Sequence, residues 1–270
     1  LVVGFVTRLR LMRLSRRSLP KAGRVSHTSM LGAIYQLSLA VLAEVPVPVA
    51  LWVASAWLYA PADALTVSDQ VPTPAPLAVA SGLSRAAYVL FGLSVLRELA
   101  RPGAVGTAHF RWSDAGLSYL RLHLRWFIPL ATLSAGIIQT FNERTNDTST
   151  EVLGRLTLCL ILLVVAVFQF LVFSPRKPMI AEYVKKHKGG LIDRAEWFWY
   201  PALVGVPVLL AVATAAGYVY TALQVQRRVG DTFLFIMVVI VGQALVLRSL
   251  QLARRKIAIE AAKARMAWAA

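Results

Sequence analysis

Residues able to do chemistry are scarce in this chain, and Glu44 stands where a charge is most costly, deep inside an apolar run. An ionised carboxylate in hydrocarbon needs a partner or a function. Arg85, in the next apolar run and antiparallel to it, is the natural partner. At about 1.5 Å per helical residue, counted from the outer ends, the two fall within roughly one arginine side chain of the same depth. The residues alone leave open a structural ion pair, a proton- or ion-coupling site, and a carboxylate at a water-filled crevice. Pro46, Pro48, Pro201 and Pro207 interrupt two apolar runs. Each removes a backbone donor and crowds the preceding turn, which makes them candidate hinges, broken-helix substrate sites or static bends.

Nothing else assembles into a catalytic constellation. His27, His109, His123 and His187 lie in separate segments without metal-ligand spacing, and the single cysteine, Cys159, sits inside an apolar run as a small packing residue. There is no phosphate-cradling glycine motif and no carboxylate pair in an apolar stretch. The chain is therefore not expected to be an enzyme, and no catalytic, cofactor-binding or metal-binding residue and no cofactor is assigned.

The elements that carry these residues belong to a membrane protein. Hydrophobic residues make up 57% and charged residues 16%, too few charges for the polar shell of a soluble domain, where about 25% is usual. The 29 Lys and Arg outnumber 13 Asp and Glu, but they cluster between apolar stretches instead of forming one basic face, so nucleic acid is not the expected partner. Apolar stretches that span or nearly span a bilayer run over Met30–Leu58, Leu77–Leu96, Trp126–Phe141, Leu153–Phe173, Phe198–Tyr220 and Thr232–Leu250. Leu1–Val6 reads as the last turns of a truncated helix, which makes residues 1–270 a single transmembrane domain within a longer polypeptide. The expected fold is an all-α, polytopic helical bundle of about six transmembrane helices plus that stub.

Charge orients the set. Basic clusters precede Met30 and fill the connections after Leu96 and Phe173 and the C-terminal tail, whereas the connections after Leu58 and Phe141 are poor in Lys and Arg. The positive-inside rule places the basic loops and the C-terminal end in the cytoplasm of a bacterial inner-membrane protein, with Arg227 and Arg228 as the exception. Two of the basic connections carry amphipathic interfacial helices. In Ser113–Trp126, Leu117, Leu120 and Leu124 line one face and Arg121 and Arg125 another; the second covers about Pro178–Lys188 and stops at Gly189-Gly190. Arg101, Arg111, Arg121, Arg125, Trp126, Trp197 and Trp199 are the candidate lipid-interface anchors. Ala211, Ala213, Ala215, Ala216 and Gly217 offer a small surface that lets another helix come close.

The chain resembles the inner-membrane region that precedes the pore in large MscS-like mechanosensitive channels of the MscK/MscM (KefA) type. The resemblance follows the chain in order: Ala43-Glu44-Val45-Pro46-Val47-Pro48, Leu96-Arg97-Glu98-Leu99 with Arg101-Pro102-Gly103, Ala108-His109-Phe110-Arg111-Trp112, Gly217-Tyr218-Val219-Tyr220-Thr221-Ala222-Leu223, and Ala253-Arg254-Arg255-Lys256-Ile257-Ala258. It implies a homo-heptameric ion channel in contact with membrane lipids, opened by membrane stretch to release ions and solutes in hypo-osmotic shock. It also implies that this chain is the lipid-facing sensor, with periplasmic and pore regions outside it. A secondary transporter or permease, which needs a midplane cluster of polar residues, and a non-conducting scaffold subunit are the alternatives.

Overall fold

The computed structural model describes residues 35, 38–39, 41–59, 75–101, 113–143, 148–181 and 194–269. The stub at Leu1–Val6, the first basic cluster, Arg111 and Gly189-Gly190 lie outside them. The described residues contain no strand, and their long helices are α1 (Pro46–Tyr59), α2 (Ala75–Leu99), α3 (Asp114–Asn142), α4 (Thr148–Val172), α5 (Glu196–Ala215) and α6 (Val219–Ala269). All-helical architecture follows from the solvent, because a spanning segment must satisfy its backbone groups internally. Of the six, α2, α5, the Glu151–Val172 part of α4 and the Val219–Leu247 part of α6 are long and apolar enough to cross a bilayer; α1 is apolar but shorter.

Each expected stretch coincides with a helix, but three boundaries differ. The amphipathic Ser113–Trp126 segment and the apolar Trp126–Phe141 segment are one helix. Ser113 caps α3, its Oγ accepting from Gly116 N at 3.1 Å, and nothing breaks the 29 residues that follow. Its apolar face does not lie on lipid. Leu117, Leu120 and Leu124 are buried with Leu158, Leu162, Phe168 and Val172 of α4, and Phe127 stacks on Phe168 at 4.1 Å. The connection expected around Arg227 and Arg228 is also absent. The chain turns at residues 216–218, where Gly217 takes φ +106° and the amides of Gly217 and Tyr218 close back on the carbonyls of Thr214 and Ala213. From Val219 the 51 residues of α6 continue as one helix of about 76 Å, against a hydrocarbon core of about 30 Å. The third difference is at the start: the long Met30–Leu58 span is broken at Val45, with helical residues 41–44 on one side and α1 on the other.

Packing follows chain order. α1 pairs with α2, α2 with α3, α3 with α4 and α4 with α5, while α6 touches α5 more sparingly. Two close approaches set the geometry. Ser55 Oγ, buried, donates to Ala80 O at 2.7 Å and fixes the register of α1 on α2. Gly82 of α2 faces Gly136 and Thr140 of α3 so tightly that a Cβ on Gly82 would lie 2.7 Å from Gly136 O. Without a hydrophobic force between helices in lipid, such small-residue contacts supply the dispersion that holds them together. The surface of Ala211 is used in the same way: α4 approaches α5 there, and Cys159 Sγ lies 3.6 Å from Ala211 O.

Candidate functional site

At one end of the bundle the basic residues flank the α2–α3 and α4–α5 connections. Arg101 is tied to Glu98, Nη1 to Oε1 at 2.6 Å with both side chains largely buried, so it closes the last turn of α2. Trp126 packs inward, its ring edge on Phe127 and Phe168, and its Nε1–H donates to His123 Nδ1 at 3.2 Å. Tyr119 Oη donates to Leu171 O at 3.2 Å, and the Lys177 ammonium lies 6.0 Å from the Tyr119 ring. Arg121 is half-buried and engaged, and Arg125 is exposed. On α5, Trp197 projects outward at 79% exposure, whereas Trp199 is half-buried beside Phe198 and Pro207 along a cavity. Of the seven expected anchors, Arg125 and Trp197 are therefore the ones held fully outward among the described residues, and Arg111 lies outside them.

No ion pair joins Glu44 to Arg85 among the described residues. Counting along both helices from the Ser55–Ala80 contact, Glu44 lies about 9 Å farther from the α1–α2 connection than Arg85. The same offset follows from counting inward from Leu58 and Leu77, so the register is the one expected, and the offset is not bridged by any ion pair among the described residues. Glu44 is 5% exposed and engaged. The Arg85 guanidinium lies 5.4 Å from the Tyr88 ring centroid and makes no ion pair among the described residues.

The prolines divide into two kinds. Pro46 opens α1 just after the bend at Val45, where a missing amide costs nothing, and Val49 N reaches back to Val45 O. Pro201 and Pro207 sit inside α5, which runs through both. Pro207 deprives the Leu203 carbonyl of its helical donor. Leu203 borders a cavity of about 380 Å³ that also receives Gln169, 6% exposed with no partner for Oε1 among the described residues, and Gln226. These glutamines meet in a mainly apolar space, far short of the shared polar midplane cluster that a transporter needs.

Two arginines absent from the expected sites organise the opposite end. Arg155 of α4 donates through Nε to Thr214 O at 2.8 Å and through Nη2 to Ala215 O, placing a cation on the last carbonyls of α5. That satisfies orphan acceptors and opposes the helix dipole. Arg227 of α6 donates to Gln139 Oε1 at 2.8 Å, and Gln139 Nε2 donates to Glu143 Oε1 at 2.8 Å. The exception to the charge pattern is thus a residue tied into the bundle. Hydropathy registers both arginines only as penalties; a helix end needing a cap seven residues from the start of α4 was the one clue to Arg155.

A family model described as mechanosensitive ion channel inner membrane domain 1 matches residues 1–270. The chain is 25% identical over 259 residues to the miniconductance mechanosensitive channel MscM of Escherichia coli (strain K12), covering 94% of this chain and 22% of that protein. It thus spans about a fifth of the length of that relative. No solved structure matches it.

Proposed function

The chain belongs to the mechanosensitive ion channel inner membrane domain 1 family, and from that premise we propose that it is the tension-sensing membrane region of a channel that opens under stretch and releases ions and solutes in hypo-osmotic shock. The observation that carries this reading is the match of the family along the whole chain, residues 1–270. A channel region accounts for the chain without any enzymatic role. The multi-pass bundle sits in a bacterial inner membrane among lipids, with the Arg101, Arg125 and Lys177 end and the C-terminal end in the cytoplasm, and seven copies surround a common pore.

Tension acts as a ligand for the wider state. If opening enlarges the membrane area of the protein, tension multiplied by that enlargement shifts the population, and moving from 1:99 to 99:1 takes about 5.5 kcal/mol. The helices supply the coupling. α3, α4 and α5 share packed contacts and move as a body, with Arg125 and Trp197 exposed at the basic end as grips on the headgroup layer. α6 is fastened near its start, where Ala222 is buried and Arg227 reaches Gln139. Past its contact with Gly92 of α2 at Leu234, Phe235, Val238 and Leu250 are exposed, leaving the rest of α6 free to shift relative to the bundle. The bend at Val45-Pro46 gives the start of α1 a second point of adjustment.

The test is patch recording of the intact protein in liposomes. Stretch-activated conductance is expected, with the pressure threshold displaced by Arg125→Glu and by Arg121→Glu. An intact protein without stretch-activated conductance refutes the channel reading, and thresholds equal to wild type refute the grip.

A further inference from the structure

Between α2, α3 and α6 lies a crevice of about 450 Å³ that none of the expected functions uses. Its volume falls in the range of small-molecule sites, about 300–1,000 Å³. Two guanidinium groups from different helices, Arg85 and Arg227, line it together with Ser81, Ser84, Gln139 and Glu143. The charges do not cancel. Glu143 is occupied by the Gln139 amide, and neither arginine has a carboxylate within 4 Å among the described residues. Asp231, one turn beyond Arg227, is exposed and makes no ion pair with it. Arg227 spends one N–H on Gln139, and among the described residues Arg85 makes no hydrogen bond, its one contact being the Tyr88 ring. Two cations facing one carboxylate leave a net single positive charge and, among the described residues, most of ten N–H donors unspent along a shared space that Tyr59 at the end of α1 and Glu143 at the cap of α3 also line. Excess positive charge with unspent donors at these helix ends favours an anion with several acceptor oxygens.

The surroundings say which anion. Below the crevice α2 and α6 run in the same direction, and they approach where Leu234 Cδ1 lies 3.8 Å from the place a Cβ on Gly92 would occupy. Gly92 follows Arg85 by seven residues and Leu234 follows Arg227 by seven, so both lie on the faces that carry the arginines. Val238 continues the α6 face and is exposed, as is Tyr88 on the crevice wall. A charged head thus opens directly onto an apolar track. We propose that this crevice binds a phospholipid, its phosphodiester held by Arg85 and Arg227 and one acyl chain lying along the track between α2 and α6. Glu143 acts through Gln139, which positions the Arg227 fork. The binding does not depend on channel gating, so its test stands apart from the conductance test.

The experiment is native mass spectrometry of the intact protein, delipidated and then titrated with phosphatidylglycerol or with diacylglycerol bearing the same acyl chains. Wild type is expected to retain phosphatidylglycerol at least tenfold more tightly than diacylglycerol. Arg85→Gln and Arg227→Gln each weaken retention about tenfold, as the loss of charge-assisted hydrogen bonds predicts. Arg85→Lys and Arg227→Lys keep the charge, provide folded variants if the glutamines destabilise, and retain intermediate binding. Arg155→Gln, at the same end but bound to helix carbonyls, leaves retention unchanged. Equal retention of the two lipids, or glutamine variants that bind like wild type, overturns the proposal. Displacement of the lipid by millimolar inorganic phosphate overturns the phospholipid in favour of a free-anion site.

Discussion

Alanine at Gly82 should drive α2 and α3 apart. The new methyl would lie 2.7 Å from the carbonyl oxygen of Gly136 and closer still to Thr140 Oγ1. It falls about 0.7 Å short of ordinary contact with a backbone atom that cannot rotate away. A gap of that size forfeits a quarter to a half of the dispersion along the crossing, and inserting a methyl into a packed interface costs about 1–3 kcal/mol. Replacing glycine by alanine within a helix returns about 1 kcal/mol of propensity. Gly205, in α5, isolates the first effect, because nothing lies within 4 Å of its would-be Cβ. Gly205→Ala should therefore stabilise by up to about 1 kcal/mol, and Gly82→Ala should fall below it by about 1–3 kcal/mol, with propensity cancelling in the difference. The measurement is unfolding of the purified protein in mixed micelles of increasing dodecyl sulfate, followed by tryptophan fluorescence. Thr140→Ala added to Gly82→Ala should recover only part of the loss, since Gly136 O stays in place. If the two alanine variants shift stability together, the crossing does not rest on this contact and the reasoning fails.

Arg155→Gln uncovers the Thr214 and Ala215 carbonyls at the end of α5 and should cost about 1–3 kcal/mol in the same assay; Arg155→Lys should recover part, keeping the charge at the helix terminus but losing the fork. Leu124→Ala empties a fully buried position in the α3–α4 core and should cost about 2–5 kcal/mol by the same unfolding curve, whereas Leu122→Ala, exposed on the opposite face of the same turn, should change stability by less than about 1 kcal/mol.

The fold class was legible because the bilayer imposes it: apolar runs of spanning length must become helices, and the described part of each is helical apart from the bend at Val45, the turn at residues 216–218 and the end at Phe173. What hydropathy measures is depth, however, and it carries no azimuth. The leucines of Ser113–Trp126 show one apolar face whether that face meets acyl chains or α4, and burial of Leu124 against Leu158 and Leu162 is decided by a helix 30 residues away. Helix ends were misplaced for a related reason. Charged residues lower hydropathy around Arg227 without breaking the helix, since their side chains leave the backbone bonds intact, while the actual turn at Gly217 needs only one residue in a left-handed conformation. Glu44 and Arg85 were matched by depth alone, and depth left an offset of about 9 Å along the helices that no ion pair among the described residues bridges. The small faces at Gly82 and Gly136 and the meeting of Arg85 with Arg227 have no local signature at all. They arise from which surfaces turn toward each other, so the sequence by itself determined that this protein lies in a membrane and how its helices follow one another, and the tertiary structure alone decided where its charges meet.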